Sequence, residues 1–125
     1  MKALLVIPLL LLVALAGCSG PSGPVTPTTD AQGRYVIHLT SSNHFSPQDA
    51  KVPLNATVVW VNDGGVHDVT EHMGAWSSDD ITGGGLGHKM QAGDSYVHTF
   101  AAAGTIEYHC SIHESTGMKG SLVVG

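Results

Sequence analysis

Through the body of the chain, apolar and polar positions alternate over short stretches and never settle into a helical period. Tyr35, Ile37 and Leu39 alternate with Val36, His38 and Thr40, which predicts a first strand with His38 on its outer face. Ser41 to Asn43 reads as a turn. Phe45-Ser46-Pro47, with Ala50 and Val52, reads as a short edge segment, because proline cannot donate to a sheet ladder. Thr57 to Asn62 is β-branched and aromatic and predicts a strand buried on at least one face. After the turn Asp63-Gly64-Gly65, Val66 to Thr70 predicts the next strand. Met73 to Gly93 is rich in loop residues. Ser95 to Phe100 and Thr105 to Cys110 are strands joined by a turn, and Lys119 to Val124 closes the sheet. In the strand ending at Cys110, the alternation points Ile106, Tyr108 and Cys110 inward and Glu107 and His109 outward. Seven to eight short strands about ten residues apart, with turn signals between them, predict an all-β, Greek-key β-sandwich. In such a fold functional groups come from loops at one end of a rigid sheet frame.

Residues 1–17 do not fit that frame. A short basic start, Met1-Lys2, leads into a run of Leu, Val, Ile and Ala, and then Leu15-Ala16-Gly17-Cys18. This is the layout of an export signal, and the apolar run is short for a transmembrane helix. Leu-Ala-Gly-Cys resembles the lipobox of prokaryotic lipoproteins. That resemblance implies cleavage before Cys18 and lipid on its thiol and amine. An ordinary secretory signal cut nearby would instead leave Cys18 as a free thiol outside the cell. Residues 18–32 are rich in Gly, Pro, Ser and Thr and read as a tether, so the folded domain is expected over 33–125.

Charge and cysteine usage narrow the function. The 125-residue chain carries a formal net charge of −5, and Lys2 would leave with the signal. The remaining basic residues, Arg34, Lys51, Lys89 and Lys119, are scattered, so no nucleic-acid partner is expected. An acidic surface suits solubility and steering toward a basic partner. With lipid on Cys18 and metal on Cys110, the two cysteines leave none for a disulfide.

The candidate chemistry sits near the C-terminus, in Cys110-Ser111-Ile112-His113 and Gly117-Met118. Thiolate and thioether suit Cu(I), and imidazole suits both Cu(I) and Cu(II). A second histidine would complete a His₂Cys trigonal set with a long axial Met, the blue-copper arrangement. His67 is the candidate.

With those residues in place, the chain resembles the cupredoxins, and within them the plastocyanin and halocyanin group. The matching text is Phe45-x-Pro47, Val58-x-Trp60-x-Asn62, Gly65-x-His67-x-Val69, Gly93-Asp94-Ser95-Tyr96, Gly104-Thr105-x-Glu107-Tyr108 and Cys110-x2-His113-x4-Met118-Lys119-Gly120. It covers about Gly33 to Gly125, and its last run looks most like halocyanin. The resemblance implies a single type 1 copper held by His67, Cys110, His113 and Met118. Two departures bear on the redox potential: Asp68 stands where the family usually has Asn, and Ile112 where plastocyanins usually have Pro.

A set of four protein ligands leaves no position open for substrate, unlike catalytic metals. One-electron transfer is therefore expected rather than enzymatic turnover. The protein would act as a monomer, shuttling electrons between redox partner proteins while lipid-anchored at the outer face of the cytoplasmic membrane. An exported copper carrier or sensor, and an accessory subunit of a membrane oxidase, are the alternatives. Asp68 is expected to point at the neighbouring ligand loop and accept from Ser111. His113 and His109 are the candidate electron exits. In plastocyanin-like proteins the outward position of His109 is often a Tyr near a partner surface. His44, His72 and His88 read as exposed loop residues, His98 as a half-buried aromatic substitute, and Met73 and Met90 as loop or rim residues.

Overall fold

The computed structural model describes residues 23–125, so the signal segment and the lipobox with Cys18 lie outside the described residues. Eight strands form two four-stranded sheets, with no α-helix among the described residues. The strands are β1 (Tyr35–Leu39), β2 (Phe45–Ser46), β3 (Asp49–Val52), β4 (Thr57–Asn62), β5 (Thr70–Glu71), β6 (Ser95–Thr99), β7 (Gly104–His109) and β8 (Lys119–Val124). One sheet has the order β2-β1-β4-β6 and the other β3-β8-β7-β5. The chain passes between the sheets repeatedly, as a Greek-key sandwich does. β1 pairs with β4 and β3 with β8 in parallel, whereas the β4–β6 and β7–β8 ladders are antiparallel.

The segment around Pro47 serves both sheets. β2 pairs with β1 and β3 pairs with β8, so the chain changes sheets at a residue that has no N–H to offer a ladder.

The core between the sheets is aromatic. Trp60 from β4 is fully buried, and its ring lies 5.5 Å from that of Tyr108 on β7, at 80° between planes. Tyr96 lies 5.8 Å and Phe100 6.2 Å from the same ring, in geometries that aromatic quadrupoles favour. Ile37, Leu39, Val58, Leu122 and Val124 fill the space around them. Gly120 on β8 lies under the Tyr108 ring, and a Cβ there would come within 2.5 Å of it. Cys110 and Met118 belong to this same buried cluster, so the candidate ligands grow directly out of the core.

Three expectations change. The tether was expected to run as far as Gln32, but the backbone is already held from Val25. Val25 bridges Ala50 at the edge of β3, the Val25 N–H donates to Asp49 C=O at 3.0 Å, and the Val36 N–H donates to Thr28 C=O at 2.8 Å. The strand expected over Val66 to Thr70 shrinks to β5 at Thr70–Glu71. Upstream of it, His67 exchanges backbone hydrogen bonds with Met90, and Val69 is satisfied by Ser78. The loop 73–93 thus supplies the partners that a neighbouring strand would have given. For the same reason Met90, read as a rim residue, is fully buried, while Met73 is 85% exposed.

Candidate metal centre

Three elements deliver the donors. Cys110 follows the last residue of β7 and continues its inward alternation into the core, where it is fully buried. From there the chain turns through Ser111 and Ile112 to His113, makes one 3-10 turn over Glu114–Thr116, and closes at Gly117 with φ 90°. That left-handed conformation favours glycine and brings Met118, fully buried, back beside Cys110. The loop is knotted by its own backbone: the His113 C=O accepts from the N–H of Met118 and of Thr116 and from the Thr116 hydroxyl, and the Cys110 N–H donates to Met118 C=O at 3.1 Å.

His67 comes from the segment before β5. Asn62, 1% exposed, anchors that segment. Its Nδ2 donates to the carbonyls of Gly65 and Met90, both at 2.9 Å, and its Oδ1 accepts from the Gly64 N–H. The His67 Nε2 lies 2.8 Å from Gly64 C=O and 3.0 Å from Thr40 C=O. Both are pure acceptors, so Nε2 carries the proton and Nδ1 presents its lone pair. Burial pushes the His67 imidazole below its ordinary pKa, against the hydrogen bonds it donates to the two carbonyls, which favours the neutral ligand form.

The donors converge. His67 Nδ1 lies 3.2 Å from His113 Nδ1, Cys110 Sγ lies 3.6 Å from His113 Nδ1, and Cys110 Sγ lies 3.9 Å from His67 Nδ1. The point equidistant from the three atoms is about 2.1 Å from each, within the range of metal bonds to imidazole and thiolate. Two imidazoles and a cysteine sulfur facing one point, with a buried thioether in the same loop, fit a copper ion in both oxidation states.

The chain matches the family model described as copper binding proteins, plastocyanin/azurin family, over residues 36–125. The chain belongs to this family. It is 32% identical over 87 residues to a plastocyanin from Scenedesmus fuscus, a match that spans 64% of this chain and 85% of the relative. Among solved structures, a mutant amicyanin in its Cu(I) form superposes with a TM-score of 0.60 at 27% identity, over 76% of this chain and 85% of that one. A purple cupredoxin from Nitrosopumilus maritimus shares the fold, with a TM-score of 0.56 at 24% identity over 72% of this chain and 98% of that one. In this cupredoxin, His67, Cys110, His113 and Met118 form a typical type 1 copper site, and copper-mediated electron transfer is the family's activity.

Asp68 follows the ligand His67 and is fully buried. Its Oδ1 accepts from the Ser111 N–H at 2.8 Å, and its Oδ2 from the Ser111 hydroxyl and from Lys89 Nζ, the latter at 2.7 Å. Its own N–H points at Cys110 Sγ, 3.5 Å away. The contact with Ser111 is the one its position suggests. Lys89 has no sequence signal linking it to Asp68, because the two are brought together only by the fold of the loop 73–93. Lys89 also pairs with Asp79 and lies 3.2 Å from the Ser111 hydroxyl. Burial alone would raise the Asp68 carboxyl, but the hydrogen bonds from Lys89 and Ser111 and the ammonium charge outweigh it and hold it below the usual range. Asp68 is therefore an anion at neutral pH, paired with the Lys89 ammonium that it shares with Asp79.

Of the remaining histidines, His44, His72 and His88 are exposed. His98 is half-buried and stacks on Trp76 at 4.9 Å, and burial lowers its pKa. His109 faces away from the core, yet its side chain is only 14% exposed.

Two sets of variants test the centre. Cys110→Ser should abolish the intense visible band of the oxidised copper form, since only the thiolate supplies that charge transfer. Met118→Leu should keep copper and raise the potential, because a weak donor to Cu(II) is lost. A blue Cys110→Ser protein would overturn the assignment.

Asp68→Asn removes the carboxylate and leaves the ammonium, so the copper potential should rise by some tens of millivolts in voltammetry. One charge at roughly 8 Å in an effective dielectric of about 20 contributes about 2 kcal/mol, on the order of 90 mV for one electron before screening. The carboxyl's folded-state pKa lies below its unfolded value. Its stabilising contribution is therefore complete above about pH 4 and is lost as pH falls through the lowered folded value. The Asn variant should accordingly show a flatter acid limb in a stability-against-pH curve, and a lowered potential or an unchanged acid limb would count against this role.

Proposed function

We propose that this cupredoxin is a membrane-tethered single-electron shuttle, not an enzyme, and that it exchanges electrons through the His113 end of the sandwich. The supporting observation is the exposure of the ligands. His67, Cys110 and Met118 are fully buried, and His113 alone of the four is partly exposed. Bound copper, cycling between Cu(II) and Cu(I), supplies the one-electron chemistry. The protein's part is to hold the four donors in one arrangement and keep water from three of them. Four ligands leave no open position for a substrate.

The surface around His113 suits brief contacts. Val66, next to His67, and Ile112, next to His113, are 43% and 44% exposed. A small apolar patch in an acidic protein lets a partner dock closely without holding it long. A second route leads from Cys110 through the backbone to His109. The Leu15-Ala16-Gly17-Cys18 text supports the proposal that the mature protein is tethered to the outer face of the cytoplasmic membrane, by acyl chains that anchor firmly when there is more than one.

Electron self-exchange, measured by NMR line broadening on mixed oxidised and reduced protein, needs no knowledge of the partner. Ile112→Glu should slow it by about tenfold, through charge repulsion and loss of close contact, whereas Leu54→Glu at a distant exposed site should not. Equal rates in both variants would move the exchange site elsewhere.

Anchoring is tested separately. The wild-type protein should partition with membranes and carry acyl mass on an N-terminal Cys18, and Cys18→Ala should release it or block processing. An unmodified mature N-terminus at another residue would refute the tether.

A further inference from the structure

His72, His109 and Glu114 stand together on the outer face of the second sheet, apart from the copper ligands. Antiparallel pairing of β5 with β7 places Thr70 opposite His109. The His72 N–H extends that ladder by donating to Glu107 C=O at 2.9 Å. His72 and His109 thus share one face on fixed backbone, with side chains along the diagonal of the ladder. Glu114 reaches the same place from the 3-10 turn that follows His113. One ligand atom from each of the three residues lies within 4.8 Å of the other two.

The spacings within the cluster are not those of an internal hydrogen-bond network. His109 Nε2 lies 3.6 Å from Glu114 Oε2, beyond hydrogen-bond range, and His109 Nδ1 is buried without a partner. The two imidazole rings are 6.2 Å apart at 81°, so they do not stack. Two ligands on one ion, each bonded at about 2.0–2.2 Å, sit roughly 3.4 Å apart. The His109–Glu114 separation is close to that value. The cluster also sits in a cleft of about 310 Å³, whose walls include Asp49, Glu107 and Lys119. With Glu114, three carboxylates face one ammonium, a balance that favours a cation.

We propose that His72, His109 and Glu114 form a second metal site, for a divalent transition ion of the zinc or copper(II) class. The donor set decides the class. Two imidazoles and a carboxylate, without thiolate or thioether, suit borderline divalent ions and not Cu(I). Three protein ligands facing an open cleft leave positions for water or for a partner's side chain, unlike the closed set around Cys110. His109 precedes Cys110 and Glu114 follows His113, so each is one peptide link from a copper ligand. An ion here fastens the end of β7 to the ligand loop and adds positive charge near the copper.

Calorimetric titration of the copper-loaded full chain with zinc(II), with the visible band followed in parallel, tests the site. The expected result is one zinc per chain beyond the copper, with the blue band retained. His72→Ala and Glu114→Gln should each weaken zinc binding by about tenfold or more, and His88→Ala should leave it unchanged. His72 and Glu114 are exposed, and a retained blue band reports that each variant is folded. The proposal is overturned if no zinc is taken up, if uptake bleaches the blue band as zinc replaces copper at Cys110, or if either ligand variant binds zinc as tightly as wild type.

Discussion

Asp68 is a carboxylate with no exposed surface, and a buried carboxylate persists only when its charge and its lone pairs are engaged. Here the partners come from three places in the chain. Ser111 belongs to the ligand loop, Lys89 to the long loop 73–93 and Thr70, whose hydroxyl donates to Oδ1 at 3.1 Å, to β5, while the Asp68 N–H faces the sulfur of Cys110. Removing any one partner would leave an uncompensated charge or an orphaned donor in the interior, so the three segments hold one another in place. His67 and Cys110, neighbours of Asp68 and Ser111, inherit that fixed geometry. The convergence of their donor atoms with His113, unfavourable among lone pairs without an ion, is held by this tie together with the Gly64 and Thr40 carbonyls on the far side of His67.

Behind this tie stands an aromatic core that resists deformation. Trp60 touches Tyr96, Phe100, Tyr108 and Trp76 within ring-contact distances, and Tyr108 packs on Gly120 with no room to spare. Close-packed interiors transmit strain rather than absorb it. Cys110 and Met118 are members of the same packed cluster, so their positions change little unless the core changes. That suits a centre that must accept both oxidation states with little rearrangement. It also explains how the ligand loop can be short and exposed on one side while its donors stay fixed.

Much of this was legible in the order of residues. Alternation with period two identified the strands around Ile37, Tyr96 and Tyr108, as a half-buried pleated surface requires, and β-branched and aromatic composition identified the strand around Trp60. The loop spacing of Cys110, His113 and Met118 carried the chemistry, since thiolate, imidazole and thioether within one turn of chain have few other uses. His98 was readable as an aromatic stand-in from its neighbours Tyr96 and Phe100. The pairing of residues distant in sequence was not readable. The segment before Thr70 looks like a strand by composition, yet its backbone is satisfied by Met90 and Ser78 from a loop with no periodic signal.

The sequence by itself determined the all-β class, the donor types and the ligand loop, because each rests on local spacing and on the chemistry of side chains near one another in the chain. Only the tertiary structure decided that Lys89 pairs with Asp68, that Met90 is core and Met73 is not, that Val25 already belongs to the sheet, and that His72 meets His109 and Glu114. Each of these depends on where two separate stretches cross. A crossing is set by the packing of the whole sandwich, and no short window of residues contains the burial, the partner's charge or the free backbone group that makes it favourable.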